Sequence, residues 1–223
     1  MERHFDKELV SLNEKLIRMA ALAEEMIRIS VKVLVFREAS PIEEVNRREK
    51  DVNNLQVEID EDIVALIARM QPVAADLRFL IAASKINGEL ERIADQAINI
   101  CENTVFLLKY PQLKPLVDMP IMADIVQRMV RDSLDAYVQR DTAKAQEVLN
   151  TDDKVDAFKD QIFRELLTYM MSDPQTIQRA LSLILIARNL ERIADHSTNI
   201  AEEVIYMVQG RDVRHHHEEK QRE

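Results

Sequence analysis

The sequence predicts an all-α chain made of two tandem, repeated antiparallel three-helix bundles with six long helices. Three observations predict it. The 223 residues include only Gly88 and Gly210 as glycines, which leaves little scope for tight β-turns. Apolar residues recur at three- and four-residue intervals, the period of a buried helix face. Much of the first half of the chain also reappears, in the same order, in the second half. Hydrophobic residues make up 47% of the chain, enough for one large core or two of roughly 100 residues each. Aromatic residues are 4% and Trp is absent, so that core is aliphatic and rich in Met.

The first helix is predicted over 3–38. Leu9, Leu12, Leu16, Met19, Ala23, Met26, Ser30 and Val33 alternate by three and four, the narrow seam of a long helical bundle. Ser40-Pro41 with Glu43 reads as an N-cap, a proline at the first helical position and a capping box. The second helix then runs over 42–70 and stops at Gln71-Pro72. A third is predicted over 73–109. Tyr110 to Pro120 contains Pro111, Pro115 and Pro120, which marks an inter-domain linker. Three helices follow over 119–140, 142–171 and 174–208. Asp141-Thr142 and Asp173-Pro174 supply their caps, and Gly210 closes the last. The domain reading is a first bundle at 1–110, a linker at 111–118, a second bundle at 119–210 and a disordered tail at 211–223.

The repeat is direct. At an offset of 103, Met19, Ala20, Met26, Arg28, Ser30, Val35, Arg37, Glu44, Val45 and Val52 all meet the same residue type. At an offset of 100, so do Ile86, Leu90, Glu91, Arg92, Ile93, Ala94, Asp95, Asn99 and Ile100. Collinear matches of this kind favour duplication over chance heptad similarity.

The formal net charge of −10 argues against a general nucleic-acid binder, which needs a basic surface. It suits cations or basic patches on partner proteins. A single cysteine, Cys101, fits a reducing compartment. No apolar run has the length of a membrane span, and the first residues show no signal-peptide core. A soluble cytoplasmic protein is expected.

The repeated block Leu90-Glu91-Arg92-Ile93-Ala94-Asp95 returns as Leu190-Glu191-Arg192-Ile193-Ala194-Asp195. Residues i and i+4 share a helix face, so Glu91 stands over Asp95, and Glu191 over Asp195. Asn99 and Glu102, with Asn199 and Glu202, continue these stripes. The apolar seam of Leu90, Ile93, Ala94, Ala97 and Cys101 runs beside the first. Like charges at this spacing repel, and a cation relieves that repulsion. The second helix of each copy carries matching oxygens, Glu49 with Asn53 and Asp152 with Asp156. Two oxygen-rich metal sites are therefore expected, one of Glu49, Asn53, Glu91 and Asp95, the other of Asp152, Asp156, Glu191 and Asp195. Hard cations such as Mg, Ca or Mn, or iron, suit such ligands. The competing reading is a solvated acidic face with Arg92 and Arg192 as partners. Asn53 replaces a carboxylate, which weakens the first site.

Other residues point to no chemistry. His196 reads as an ordinary polar residue, and Cys101 and the seam methionines as core. His215 to His217 lie in the tail. No Glu-x-x-His occurs, against a ferritin-type oxidase. No P-loop and no supported Ser/His/Asp pattern is present. A catalytic constellation is absent, and the chain reads as a non-enzyme. The alternatives are a carboxylate-bridged metalloprotein (a metal store or oxidase-like protein) and a purely structural coiled coil.

The paired Leu-Glu-Arg-Ile-Ala-Asp blocks, the Asn after each, Gln71-Pro72 before Asp76-Leu77-Arg78, Thr168-Tyr169-Met170-Met171 before Asp173, and the ending Gly210-Arg211-Asp212-Val213-Arg214-His215 resemble the PhoU family over residues 5 to 215. The resemblance implies two pseudo-symmetric three-helix bundles whose E/D-x-x-x-D motifs bind metal, in some members as multinuclear clusters. It implies a negative regulator of the phosphate-starvation (Pho) response and a modulator of high-affinity phosphate uptake. Such a protein acts as an adaptor between the phosphate ABC transporter, through its ATPase PstB, and the sensor kinase PhoR. A homodimer is expected, with no nucleic acid and no membrane insertion.

Overall fold

The computed structural model describes residues 2–211 and 213. Six helices follow in order: α1 Glu2–Phe36, α2 Ile42–Met70, α3 Ala75–Leu108, α4 Asp118–Gln139, α5 Thr142–Ser172 and α6 Ile177–Gln209. A short 3₁₀ turn, Pro174–Thr176, precedes α6. The fold is all-α among the described residues. The predicted tail, with His215 to His217, lies outside them apart from Arg211 and Val213.

Most breaks follow the punctuation read from the chain. The Asp141 carboxylate accepts from the backbone N–H groups of Ala143 at 2.9 Å and Lys144 at 3.0 Å, which satisfies two orphan donors of α5. Asp173 accepts from Gln175 N–H at 2.9 Å, but it opens the 3₁₀ turn, so α6 starts three residues later than expected. Gly210 ends α6 at φ +68° with its N–H on Tyr206 C=O at 2.8 Å, the left-handed closure glycine allows without strain. The Ser40 capping box does not form. Pro41 itself is the cap residue of α2, without a side-chain cap bond. Ile42 N–H bonds Ala39 C=O at 3.1 Å instead. On either side of Pro72, Gln71 and Ala74 both take positive φ, and this reversal delays α3 to Ala75.

Each bundle runs up, down and up, and its ion pairs show the directions. Lys15 on α1 meets Asp62 on α2 at 2.7 Å, and Arg48 meets Glu25 at 3.6 Å. Asn87 on α3 donates to Gln56 C=O at 2.9 Å and Asp60 Oδ1 at 3.0 Å on α2. In the second bundle, Lys144 on α5 pairs with Asp135 on α4 at 3.6 Å, and Gln161 donates to Asp118 at 3.2 Å.

Burial repeats with the sequence. Val45, Val52, Ile59 and Ile63 of α2 are buried, as are Val148, Val155, Ile162 and Leu166 of α5 at the same offset. The seam predicted on α1 is buried from Leu12 to Val33. Ser30 and Ser133 each donate to the carbonyl three residues earlier at 2.8 Å. Arg37 and Arg140, which follow α1 and α4, share a left-handed backbone at φ 57° and 54°. Duplication thus reaches the torsion angles.

The two bundles join through α3 and α6, which pack antiparallel along their length. Lys85 meets Glu203 at 2.9 Å near one end of the pair. Near its middle, Glu89 accepts from Asn199 at 3.0 Å and shares a 2.7 Å hydrogen bond with His196 Nδ1. His196, read as ordinary, is therefore part of this junction. Burial raises the Glu89 carboxyl, but its bonds from His196 and Asn199 and the charges of His196 and Arg92 bring it below its usual value. Arg131 on α4 joins Glu24 on α1 at 2.9 Å.

The linker is strapped down. Lys114, 7% exposed, pairs with Glu165 on α5. Arg179 donates to Pro111 C=O at 3.2 Å, and Arg37 to Leu107 C=O at 3.0 Å. At the opposite ends of α3 and α4 from the linker, Tyr137 stacks on Phe79 with ring centroids 5.6 Å apart, and the Arg140 guanidinium covers Phe79 at 5.6 Å. Tyr137 is 1% exposed, and its hydroxyl has no hydrogen-bond partner among the described residues. An unsatisfied buried hydroxyl costs about 1–3 kcal/mol. Tyr137→Phe keeps the stacking and removes that cost, so its denaturant midpoint is expected to match or exceed wild type. A clear loss of stability would show that the hydroxyl has a partner.

Candidate functional site

The up-and-down packing of the second and third helices builds one acidic cluster per bundle. In the first, α2 supplies Glu49 and Asn53 from one turn, and α3 supplies Glu91 and Asp95 from another. Helix periodicity places Leu90, Ile93, Ala94 and Ala97 in the core and leaves the carboxylates at its margin. Burial raises the Glu91 carboxyl, the Asp95 charge raises it further, and Glu49 adds to this against Arg92 and His196. Asp95 is raised by burial and then by Glu49. The three carboxylates thus feel one another across two helices.

The second cluster is tighter. Asp152 on α5 is pushed up to about 6, first by burial and then by Asp195, Asp156, Asp153 and Glu191. Asp195 is raised by burial, Glu191 and Asp156, with His196 and Lys159 opposing. All four predicted residues therefore share one electrostatic neighbourhood.

Sequence reasoning missed Lys159. Its ammonium lies 2.7 Å from Asp156 Oδ1 and 3.2 Å from Glu191 Oε1, bridging α5 to α6. The only signal was its place three residues after Asp156, a common solvated pairing. At the same offset of 103 the first bundle has Gln56. There the Asn53 amide plays the donor, giving Glu49 a 2.7 Å hydrogen bond. A nitrogen of the protein thus satisfies one carboxylate in the first cluster and two in the second.

The donor chemistry, carboxylate and amide oxygens from two facing helices, fits a hard cation. The raised carboxyls mark the charge such an ion would offset. Among the described residues, no three His, Cys, Asp or Glu side chains form a ready-made metal cage. Holding an ion therefore requires these side chains to turn towards each other. Arg92, named in the competing reading, pairs with Glu89 at 2.7 Å. Cys101 is buried, and burial pushes its thiol up to about 12, so it is no nucleophile. No helix among the described residues is long and apolar enough to cross a membrane.

The model of the PhoU domain matches the chain twice, over residues 16–104 and 119–204, one match to each bundle. The chain is 40% identical over 211 residues to a phosphate-specific transport system accessory protein PhoU homolog of Aquifex aeolicus, covering 95% of this chain and 96% of that protein. A homolog so described from Pseudomonas putida is 38% identical over 216 residues, covering 96% and 84%. The crystal structure of PhoU from Pseudomonas aeruginosa superposes with a TM-score of 0.90 at 36% identity, covering 93% of this chain and all of that one.

The Asp152 shift sets a pH dependence. Between its ordinary 3.8 and about 6, the folded chain keeps a proton that the unfolded chain has released. Stability contributed by this group is then lost as pH rises through that window, on the order of 2 kcal/mol. In EDTA, thermal unfolding of wild type relative to Asp152→Asn is expected to worsen between pH 4 and pH 7. Parallel pH profiles would contradict the shared neighbourhood.

Proposed function

The chain belongs to the PhoU family, and from that premise we propose that it is an accessory protein of phosphate-specific transport that represses the phosphate-starvation response. The match of both bundles to relatives named as phosphate-specific transport accessory proteins carries this reading. In it the chain is a cytoplasmic, non-enzymatic adaptor, and a homodimer, that couples the ATPase PstB of the transporter to the sensor kinase PhoR. Its two carboxylate clusters bind divalent or trivalent cations (Mg, Mn, Fe or Ca), which lock α2 to α3 and α5 to α6. The raised carboxyls of Glu91, Asp95, Asp152 and Asp195 support that role.

An adaptor needs a surface for other proteins. The exposed apolar side chains Phe163, Leu167 and Met171 on α5, and Ile177, Leu181 and Leu185 on α6, supply one. The first bundle keeps exposed Val64, Leu77 and Ile81 at matching places, but has Asp60 where the second has Phe163 and Lys85 where it has Leu185.

A phosphatase reporter of the starvation response, in a strain lacking this protein and grown with ample phosphate, tests the reading. Restored repression by the wild-type chain is expected, and a reporter that stays on despite folded protein would overturn it. In the same assay, Leu181→Glu with Leu185→Glu is expected to release repression by tenfold or more while the melting temperature changes little. Full repression by that variant would remove this face from the partner contact.

A further inference from the structure

The repeat that makes the two clusters alike also shows where they differ. The first holds three carboxylates, Glu49, Glu91 and Asp95, beside the neutral Asn53 and Gln56. The second holds four, Asp152, Asp156, Glu191 and Asp195, beside Lys159. One added carboxylate is matched by one added ammonium, so both sets carry a formal charge of −3. The register is firm, because Val52 with Val155 and Ile59 with Ile162 are buried at the same offset on either side of these positions. The ammonium is placed across the helix pair, on Asp156 of α5 and Glu191 of α6.

We infer that Lys159 is a built-in counter-cation of the second cluster, which an incoming metal ion must displace. This rests on the metal-binding reading above. While the ammonium holds Asp156 and Glu191, those oxygens are engaged, and an ion needs them free. The structure provides a place for the displaced side chain. A cleft of about 320 Å³ beside Lys159 is lined by Asp160, Phe163, Ile184, Ala187, Arg188 and Glu191. Asp160 there offers the ammonium a second carboxylate, and Phe163 a surface for its methylenes. The first cluster has no such competitor, since Asn53 needs only to turn its amide to present oxygen in place of nitrogen. The two clusters therefore differ in affinity. The second keeps α5 and α6 together without metal, and the first depends more on a bound ion.

The test uses the full chain with the first cluster silenced by Glu91→Gln and Asp95→Asn, titrated with Mn²⁺ alone. In that background Lys159→Gln, which installs the residue of the first bundle, is expected to tighten Mn²⁺ binding on the order of threefold to fivefold, the equivalent of one ion pair. Lys159→Arg keeps a cation and is expected to leave binding as it was. In EDTA, Lys159→Gln is expected to melt below its parent, because four carboxylates then face each other alone. Mn²⁺ binding that is unchanged or weaker in Lys159→Gln overturns the displacement. If no chain binds Mn²⁺, the metal reading and the displacement both fail, and the EDTA comparison decides the counter-cation role by itself. A lower melting temperature then upholds that role, and an equal one overturns it.

Discussion

Repulsion between carboxylates at the margin of a dry core is the constraint on which the rest of this structure turns. Each bundle sets acidic side chains from two facing helices beside an apolar seam of Leu, Ile and Ala. The cost appears directly, since burial and neighbouring charge raise Glu91, Asp95, Asp152 and Asp195 together. Asp95 and Asp195 reach water while Glu91, Asp152 and Asp156 are half-buried, so each cluster straddles the edge of the core. The clusters recur in both halves in matching register.

The surrounding fold keeps this arrangement in place. The α3–α6 pair lies between the bundles, and its half-buried polar contacts, Glu89 with His196 and Asn199, fix how the two third helices face each other. The strapped linker and the Arg131–Glu24 pair hold the remaining helices around them. Since α3 and α6 each carry half of a carboxylate cluster, each cluster sits on a helix that also forms the junction.

Much of this was legible in the chain. Seam positions, proline breaks, the Asp141 cap and the Gly210 closure are local features, decided by residues a few positions apart in the chain. The carboxylate faces were legible because i,i+4 geometry and the repeat offset together locate four side chains on two helices. The Ser40 cap was misread because Pro41 became the cap residue, after the left-handed Arg37 had already turned the chain. His196 and Glu89 could not be paired beforehand, since only tertiary packing decides which faces of two similar helices meet. Lys159 was hidden for the same reason: a lysine three residues after an aspartate is ordinary until a second helix brings Glu191 to it.

Anomalous diffraction from crystals grown with Mn²⁺ tests the central claim most directly. The account predicts two separate peaks per chain, one among the oxygens of Glu49, Asn53, Glu91 and Asp95 and one among those of Asp152, Asp156, Glu191 and Asp195, with Lys159 swung away from the second. Ordered carboxylates with no peak in either cluster, or Mn²⁺ bound only elsewhere, would contradict it.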